Sequence, residues 1–270
     1  PKSIITILTE FQPTLFFGVP TLFAMLLADK LPEQNKHSIR LSVSAGEPLP
    51  ADLLHRWKAK VGTEILDGIG TTEMLHIFVS NQINDIQPGT TGRAVPGYKV
   101  RLINEIGELC SSGEIGTLEV SGPTSAVMYW GQREKTKATF LGEWTRTGDN
   151  YTMGDDGVMT YSGRNDDMLK VGGENVSPLE VEAFLLEIPE IKQVAIVGYP
   201  DKRLHEIPVV FVVLNDKGSI TIKNIEKHCR DKIASFKIPR HLICVENFPM
   251  TPTGKVQKHI LREQALRTLA

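Results

Sequence analysis

The sequence predicts an α/β region, a β-rich stretch and then a separate α+β unit, and three observations carry that reading. Helical and strand-like segments alternate through the first third of the chain. From about Gly92 the pattern becomes short alternating strands broken by Gly, Pro and Asn. The polar, glycine-bearing segment SGRNDDMLKVGGENVSPLEVE, residues 162–182, then interrupts the chain before the pattern changes a third time. Such a composition resists burial and suits a junction between two packed units, where a few backbone angles can change.

In the first region Pro20 opens a helix expected over residues 20–30, since proline is pre-set for the first helical turn. Residues 39–44 read as a short buried strand. Pro50 caps a helix expected to run to Lys60, on which Leu53, Leu54 and Trp57 recur at helical spacing. Residues 64–67 read as a strand running into a glycine loop, and the alternation implies parallel strands. In the second region residues 98–103, 116–121 and 158–161 are strands of a small barrel or sandwich. In the third, a helix over 178–187, strands over 194–199 and 209–214, a helix over 222–234, a strand over 241–245 and a helix after Lys255 make a compact α+β unit.

Composition bounds the function by exclusion. A chain of 270 residues, 41% hydrophobic, has material for one large core or two modest ones, and the junction favours two. A formal charge of -2 and a pI near 6.4 leave no basic field for nucleic acid. Cys110, Cys229 and Cys244 are far apart and in no metal-ligand spacing, so they read as reduced thiols of a cytoplasmic protein. The apolar runs 4–8 and 22–27 are too short to span a bilayer and lack signal-peptide flanks, so no membrane association is expected. Pro1 leads at once into apolar sequence, which gives the expectation of a carboxy-terminal part of a longer protein.

Four polar constellations ask for a chemistry. DGIGTTE, residues 67–73, joins a strand to glycines, two hydroxyls and a carboxylate. Glycine backbone can approach a planar base, Thr hydroxyls suit phosphate oxygens, and Glu73 could hold a hydrated magnesium ion; an ordinary strand-to-helix turn with a Thr cap has much the same look. TRTGD, residues 145–149, sets Asp149 behind a glycine, where a carboxylate can accept both hydroxyls of a ribose, although Gly148 and Asp149 also fit a plain β-turn. SAGEP, residues 44–48, is a second strand-end turn of small residues, at the edge of the sheet where open α/β folds bind ligands. PMTPTGK, residues 249–255, is a rigid proline loop presenting Lys255 before a basic helix.

The order and spacing of these four resemble the adenylate-forming superfamily, which includes acyl- and aryl-CoA synthetases, luciferases and peptide-synthetase adenylation domains. GTTE, TRTGD, GRNDDMLKVGGENVSPLEVE and PTGK stand in family order from about Leu41 to the end. More narrowly, DGIGTTEMLHIFVSN, QPGTTGRAVPGYKVRL and MYWGQREKTKATFLGEWTRTGD look like the benzoate-CoA ligase branch.

The resemblance implies an organisation. Residues 1–92 would be part of a large α/β AMP-binding domain, 93–163 its small β-barrel-like subdomain, 164–168 a hinge and 169–270 a small mobile α+β domain. It also implies a reaction: a carboxylic acid, expected to be aryl and benzoate-like, attacks the α-phosphorus of ATP to give an acyl adenylate, and the thiol of coenzyme A then displaces AMP. Charge neutralisation matters more than proton transfer in the first step. Carried over residue by residue, Lys255 bridges carboxylate and α-phosphate, Thr72 contacts phosphate and Glu73 carries Mg. Ala45, Gly46, Glu47, Asp67, Gly68 and Ile69 line the adenine slot, Asp149 takes the ribose hydroxyls and Arg164 lies on the nucleotide. Ile69 and His76 belong to the acyl pocket, with a core histidine the alternative reading of His76. Asp166 is the hinge, and Lys170, Gly172 and Gly173 line the CoA tunnel once the small domain has turned.

Departures from the family pattern qualify the expectation. The Ser/Thr/Gly-rich loop ending in Pro-Lys that wraps the outer phosphates is not found in this sequence, and the aromatic wall of the acyl pocket lies upstream in relatives. Thr145 stands where many relatives carry an aromatic residue. These 270 residues alone are therefore expected to adenylate poorly, and the face where a missing half packs is expected to be apolar. Relatives are often dimers, which makes a homodimer an option. Two other readings stay open: a non-catalytic nucleotide-binding fragment, and an adenylating enzyme that hands the acyl group to a carrier-protein thiol.

Overall fold

The computed structural model describes residues 2–29, 31, 36–215, 218–251 and 256–269. The chain forms two compact units, residues 1–161 and 162–270, a division just ahead of the 164–168 segment.

The first unit opens with α1 (Lys2–Glu10), β1 (Leu15–Gly18), α2 (Pro20–Ala28), β2 (Leu41–Ala45), α3 (Ala51–Val61), β3 (Ile65–Gly70), β4 (Ile77–Ser80) and β5 (Arg93–Ala94). The strands lie in the order β1-β2-β3-β4-β5, with β1, β2 and β3 parallel and the two later pairings antiparallel. Pro20 sits at the start of α2, and Gly62, at φ 78, ends α3 in a left-handed cap. The apolar stripe Leu53, Leu54, Trp57 and Val61 is buried. Trp57 meets the edge of Phe23 at 4.8 Å and stacks on Phe16 at 6.1 Å, which ties α3, α2 and β1 into one core.

Helix α1 and strand β1 lie ahead of the first element assigned from the sequence, at Pro20. In β1 the side chains alternate: Phe16 joins the core, while Leu15 and Phe17 stand on the other face at 40% and 58% exposure. That face of a parallel sheet is apolar and open, although parallel sheets ordinarily bury both faces.

The expected glycine loop after Asp67 is a correction. β3 continues through Gly68, Ile69 and Gly70 because β4 pairs with it antiparallel, Ile69 opposite Val79 and Gly70 opposite Ile77. A Cβ on Gly70 would lie 2.4 Å from the His76 carbonyl oxygen, so the glycine is there for close backbone approach.

The unit continues with β6 (Lys99–Ile103), β7 (Gly116–Ser121), α4 (Arg133–Thr139), β8 (Phe140–Leu141), β9 (Trp144–Met153) and β10 (Met159–Arg164). These strands form a half-barrel in the order β10-β9-β7-β6, with β8 on β9. Gly148 and Asp149 lie inside β9 and not in a β-turn. The β7–β9 register jumps from Thr117 opposite Asn150 to Glu119 opposite Arg146, and Gly148, at φ 77, supplies the bulge. Leu118 O accepts from Thr147 Oγ1 at 3.0 Å, and the same hydroxyl accepts from Asp149 N at 3.1 Å, stitching the bulge in place.

The second unit comprises β11 (Leu169–Val171), β12 (Glu174–Val176), α5 (Pro178–Leu185), β13 (Ile191–Asp201), β14 (His205–Leu214), α6 (Ile222–Cys229), β15 (His241–Cys244) and α7 (Lys258–Leu269). Its sheet runs β12-β11-β14-β13, with β15 parallel to β14. Alternate residues of the central hairpin feed two cores. Ile196, Val210 and Val212 pack with Val181, Leu185 and Ile225 of the helices α5 and α6, while Val197, Val209 and Phe211 pack with Leu261 and Ala265 of α7. Ser177 caps α5 and Thr221 closes a capping box on α6 with Asn224. The expected helix over 222–234 stops at Cys229, since Arg230 leaves helical angles and Asp231 has φ 63.

Candidate active site

Within the first unit the predicted residues gather at the carboxyl ends of β2 and β3. Ala45 pairs with Gly68, and Gly46 turns the chain at φ 87 into Glu47. Glu47 Oε2 accepts from Thr21 Oγ1 at 2.9 Å, while its Oε1 is buried without a hydrogen-bond partner. Asp67 and Asp149 are both buried, at 6% and 5% exposure. Burial pushes the Asp67 carboxyl up to about 7, against the backbone N–H groups of Gly68 and Leu49 that favour its charged form. Its Oδ1 has no hydrogen-bond partner.

Tyr151, on β9 two residues past Asp149, feels the charges of both Asp67 and Asp149 and shares a 3.3 Å hydrogen bond with Thr91. Burial above all holds its phenol well above the usual range. So Asp67 in β3 and Asp149 beside the bulge of β9, two carboxylates named separately from sequence, are both buried and both act on the same phenol. Tyr151 and Thr91 escaped the sequence reading, because a partner 60 residues away leaves no local pattern.

Thr72 and Glu73 lie on a 3-10 turn, Thr72–Met74, directly after β3. The Tyr129 phenol donates to Glu73 Oε1, and the Ala126 N–H donates to the Glu73 carbonyl at 2.7 Å. Thr124 Oγ1 donates to Met74 O at 2.7 Å. Desolvation acts to raise the Glu73 carboxyl, but hydrogen bonds led by Tyr129, with the charge of Lys135, hold it below its ordinary value. Lys135 Nζ in turn sits 4.1 Å over the Tyr129 ring. Glu73 is thus an anchored anion. Among the described residues no three His, Cys, Asp or Glu converge as a metal cluster. One fixed carboxylate still fits magnesium, which keeps several waters and takes its remaining ligands from phosphates. His76 is exposed, which removes the reading of it as a core histidine, and Ile69 is half-buried.

In the second unit Arg164 precedes a 3-10 turn, Asn165–Asp167, that carries Asp166, and all three of Arg164, Asn165 and Asp166 are exposed. Gly172 and Gly173, at φ 64 and 91, form the two-residue turn between β11 and β12, whose last pair is Val171 with Glu174. The turn is pinned to the tip of the β13–β14 hairpin. Lys170 N donates to Glu206 Oε2 at 2.9 Å, and Gly172 N to Leu204 O at 2.8 Å. Lys255 lies outside the described residues; Met250 and Val256 on either side of it form a β-bridge.

Comparison with known proteins adds a family context. Residues 1–130 match the AMP-binding enzyme family and residues 180–255 match the AMP-binding enzyme C-terminal domain. A benzoate-CoA ligase of Thauera aromatica is 46% identical over 97% of this chain and 51% of its own length. A 4-hydroxybenzoate-CoA/benzoate-CoA ligase of Rhodopseudomonas palustris is 42% identical over 98% of this chain and 50% of its own length. Among solved structures, a benzoate CoA ligase from Burkholderia xenovorans superposes with a TM-score of 0.83 at 44% identity, covering 97% of this chain and 53% of that one. The chain therefore spans about half the length of these relatives.

Proposed function

Because the chain belongs to the AMP-binding enzyme family, we propose that the protein activates an aromatic carboxylic acid of the benzoate class with ATP and passes the acyl group to coenzyme A. The observation that carries this reading is that Asp67 and Asp149 are both buried and both act on the buried Tyr151 phenol, while Glu73, on the turn directly after β3, is an anchored anion. Buried acceptors without partners, Asp67 Oδ1 and Glu47 Oε1, suit the N–H and O–H groups of a nucleoside better than an empty cavity.

In the first half-reaction a carboxylate oxygen of the acid bonds to the α-phosphorus of ATP as the bond to pyrophosphate breaks. Glu73 would hold magnesium, which when bound supplies charge neutralisation at the phosphate oxygens, while Thr72 donates its hydroxyl to phosphate. Asp149 orients the ribose and Arg164 adds positive charge beside the nucleotide. Lys255 bridges the attacking carboxylate and the α-phosphate, offsetting charge where it concentrates. Ile69 and the exposed His76 border the acyl group. In the second half-reaction the thiol sulfur bonds to the acyl carbon, AMP leaves with the bonding pair, and the thiol proton passes to solvent. The small unit turns about Asp166, withdrawing Lys255 and bringing the glycine turn at residues 170–173 to the pantetheine.

Lys255→Ala in the intact protein tests this division of labour. Benzoate-dependent pyrophosphate exchange should fall by at least a hundredfold, on the order expected for a lost charge-stabilising group. Thioester formation from premade benzoyl adenylate should stay within about twofold. Equal loss of both half-reactions would refute it.

A further inference from the structure

The hairpin of β11 and β12 is tied to its sheet by very little main chain. Among the described residues β11 meets β14 through one residue pair, Val171 with His205, and β12 pairs with β11 alone. A side chain supplies the next rung. In that register Lys170 stands opposite Glu206, and Lys170 N donates to Glu206 Oε2 at 2.9 Å, while on the other side of the pair Gly172 N donates to Leu204 O at 2.8 Å. The acceptor is a carboxylate, which makes the first of these bonds the stronger kind.

Two features hold that carboxylate in place. A Cβ on Gly198 of β13 would lie 2.7 Å from Glu206 Oε1 and 2.9 Å from its Cδ, so the glycine leaves the space the carboxylate fills. The hairpin tip that carries Glu206 is itself fixed: Asp201 Oδ1 accepts from Arg203 N at 2.8 Å and from Leu204 N at 2.9 Å, and these bonds lower the Asp201 carboxyl below its ordinary value. His205, between Leu204 and Glu206, has φ 69, an angle that a residue with a Cβ keeps only where its surroundings hold it.

We infer that Glu206 is a positioning residue for the thiol-transfer half-reaction, its carboxylate holding the Lys170 N–H and so setting the shape of the turn at Gly172 and Gly173. Two glycines carry no side chains that could lock their own turn, so its order has to be supplied from outside. A turn ordered in advance costs the incoming thiol less to bind. Lys170, Gly198, Leu204 and Glu206 all belong to the second unit, so the contact travels with that unit and persists through both half-reactions. Its loss is felt only where the turn is used.

The inference rests on the proposed reading of residues 170–173 as the turn that faces pantetheine, and names the group that shapes it. In the intact protein, Glu206→Ala should speed amide hydrogen exchange of a peptide spanning residues 168–174 by about tenfold, the loss expected for one hydrogen bond to a charged acceptor, with peptides from α5 and α7 unchanged. Thioester formation from premade benzoyl adenylate at limiting coenzyme A should fall about tenfold, chiefly through a raised KM for coenzyme A, while benzoate-dependent pyrophosphate exchange stays within about twofold. Glu206→Gln keeps an oxygen acceptor and should stay within about threefold of wild type in both readouts. Gly198→Ala displaces the carboxylate, the flexible end of its side chain, without removing it; it should reproduce the Glu206→Ala pattern and serves if that variant does not fold. Unchanged exchange at residues 168–174, or an equal fall of both half-reactions, would overturn the inference. Gly173→Phe tests the underlying reading by itself. If it slows thioester formation alone and Glu206→Ala does not, the turn serves the thiol and Glu206 does not position it; if neither variant slows that step, the reading of the turn fails and the inference with it.

Discussion

Asp67 shows how a single carboxyl can link stability to ligand binding. Unfolded it titrates near 3.8 and folded near 7, because burial disfavours its charge. Between those values the folded chain holds a proton that the unfolded chain has lost. Its contribution to stability therefore declines as pH rises from about 4 and levels off above about 7. Three pKa units correspond to about 4 kcal/mol at most. Asp67→Asn keeps the shape and removes the titration. In urea unfolding without nucleotide it should gain stability relative to wild type at pH 8 and not at pH 4; an identical difference at both pH values would contradict the burial account. At this scale the sequence singled out Asp67, Glu73 and Asp149 by residue type and neighbours, and the fold shows two of them buried and the third anchored by a tyrosine. Tyr129, which hydrogen-bonds Glu73, comes from 56 residues away, and Tyr151, whose phenol feels both aspartates, from inside a strand, so only the fold exposes them.

Elements were legible where a period or a cap marked them. The stripe on α3 and the proline of α2 were readable, and so were the apolar runs that became β13 and β14. Glycine-rich strand ends were not, because local rules make Gly68, Gly70 and Gly148 turn residues while pairing with β4 and β7 makes them strand. Gly70→Ala checks that tertiary reading. Its Cβ would meet backbone of His76 and Ile77 at 2.4–2.8 Å, so β4 and the turn bearing Glu73 must move. A loss of about 1–3 kcal/mol is expected by urea unfolding, together with reduced pyrophosphate exchange. Gly89→Ala, with nothing within 4 Å but φ 82, bears only backbone strain and should leave the exchange unchanged. Similar losses of exchange in both variants would contradict the packing argument.

For the whole molecule, the mixed α/β class followed from the changes in pattern along the chain, and the two compact units part between Tyr161 and Ser162, where the polar segment at residues 162–182 begins. The open face bearing Leu15 and Phe17 was expected only from the resemblance, since no residue in this sequence names what would cover it. Chemistry on this scale belongs to the intact protein, as the chain spans about half the length of its relatives. The most direct measurement is product analysis of ATP turnover by that protein with benzoate and coenzyme A. The account predicts AMP and pyrophosphate in equal amounts with one benzoyl thioester per AMP, and no sustained turnover when either the acid or the thiol is omitted. ADP and phosphate as products, or AMP release indifferent to the acid, would contradict it.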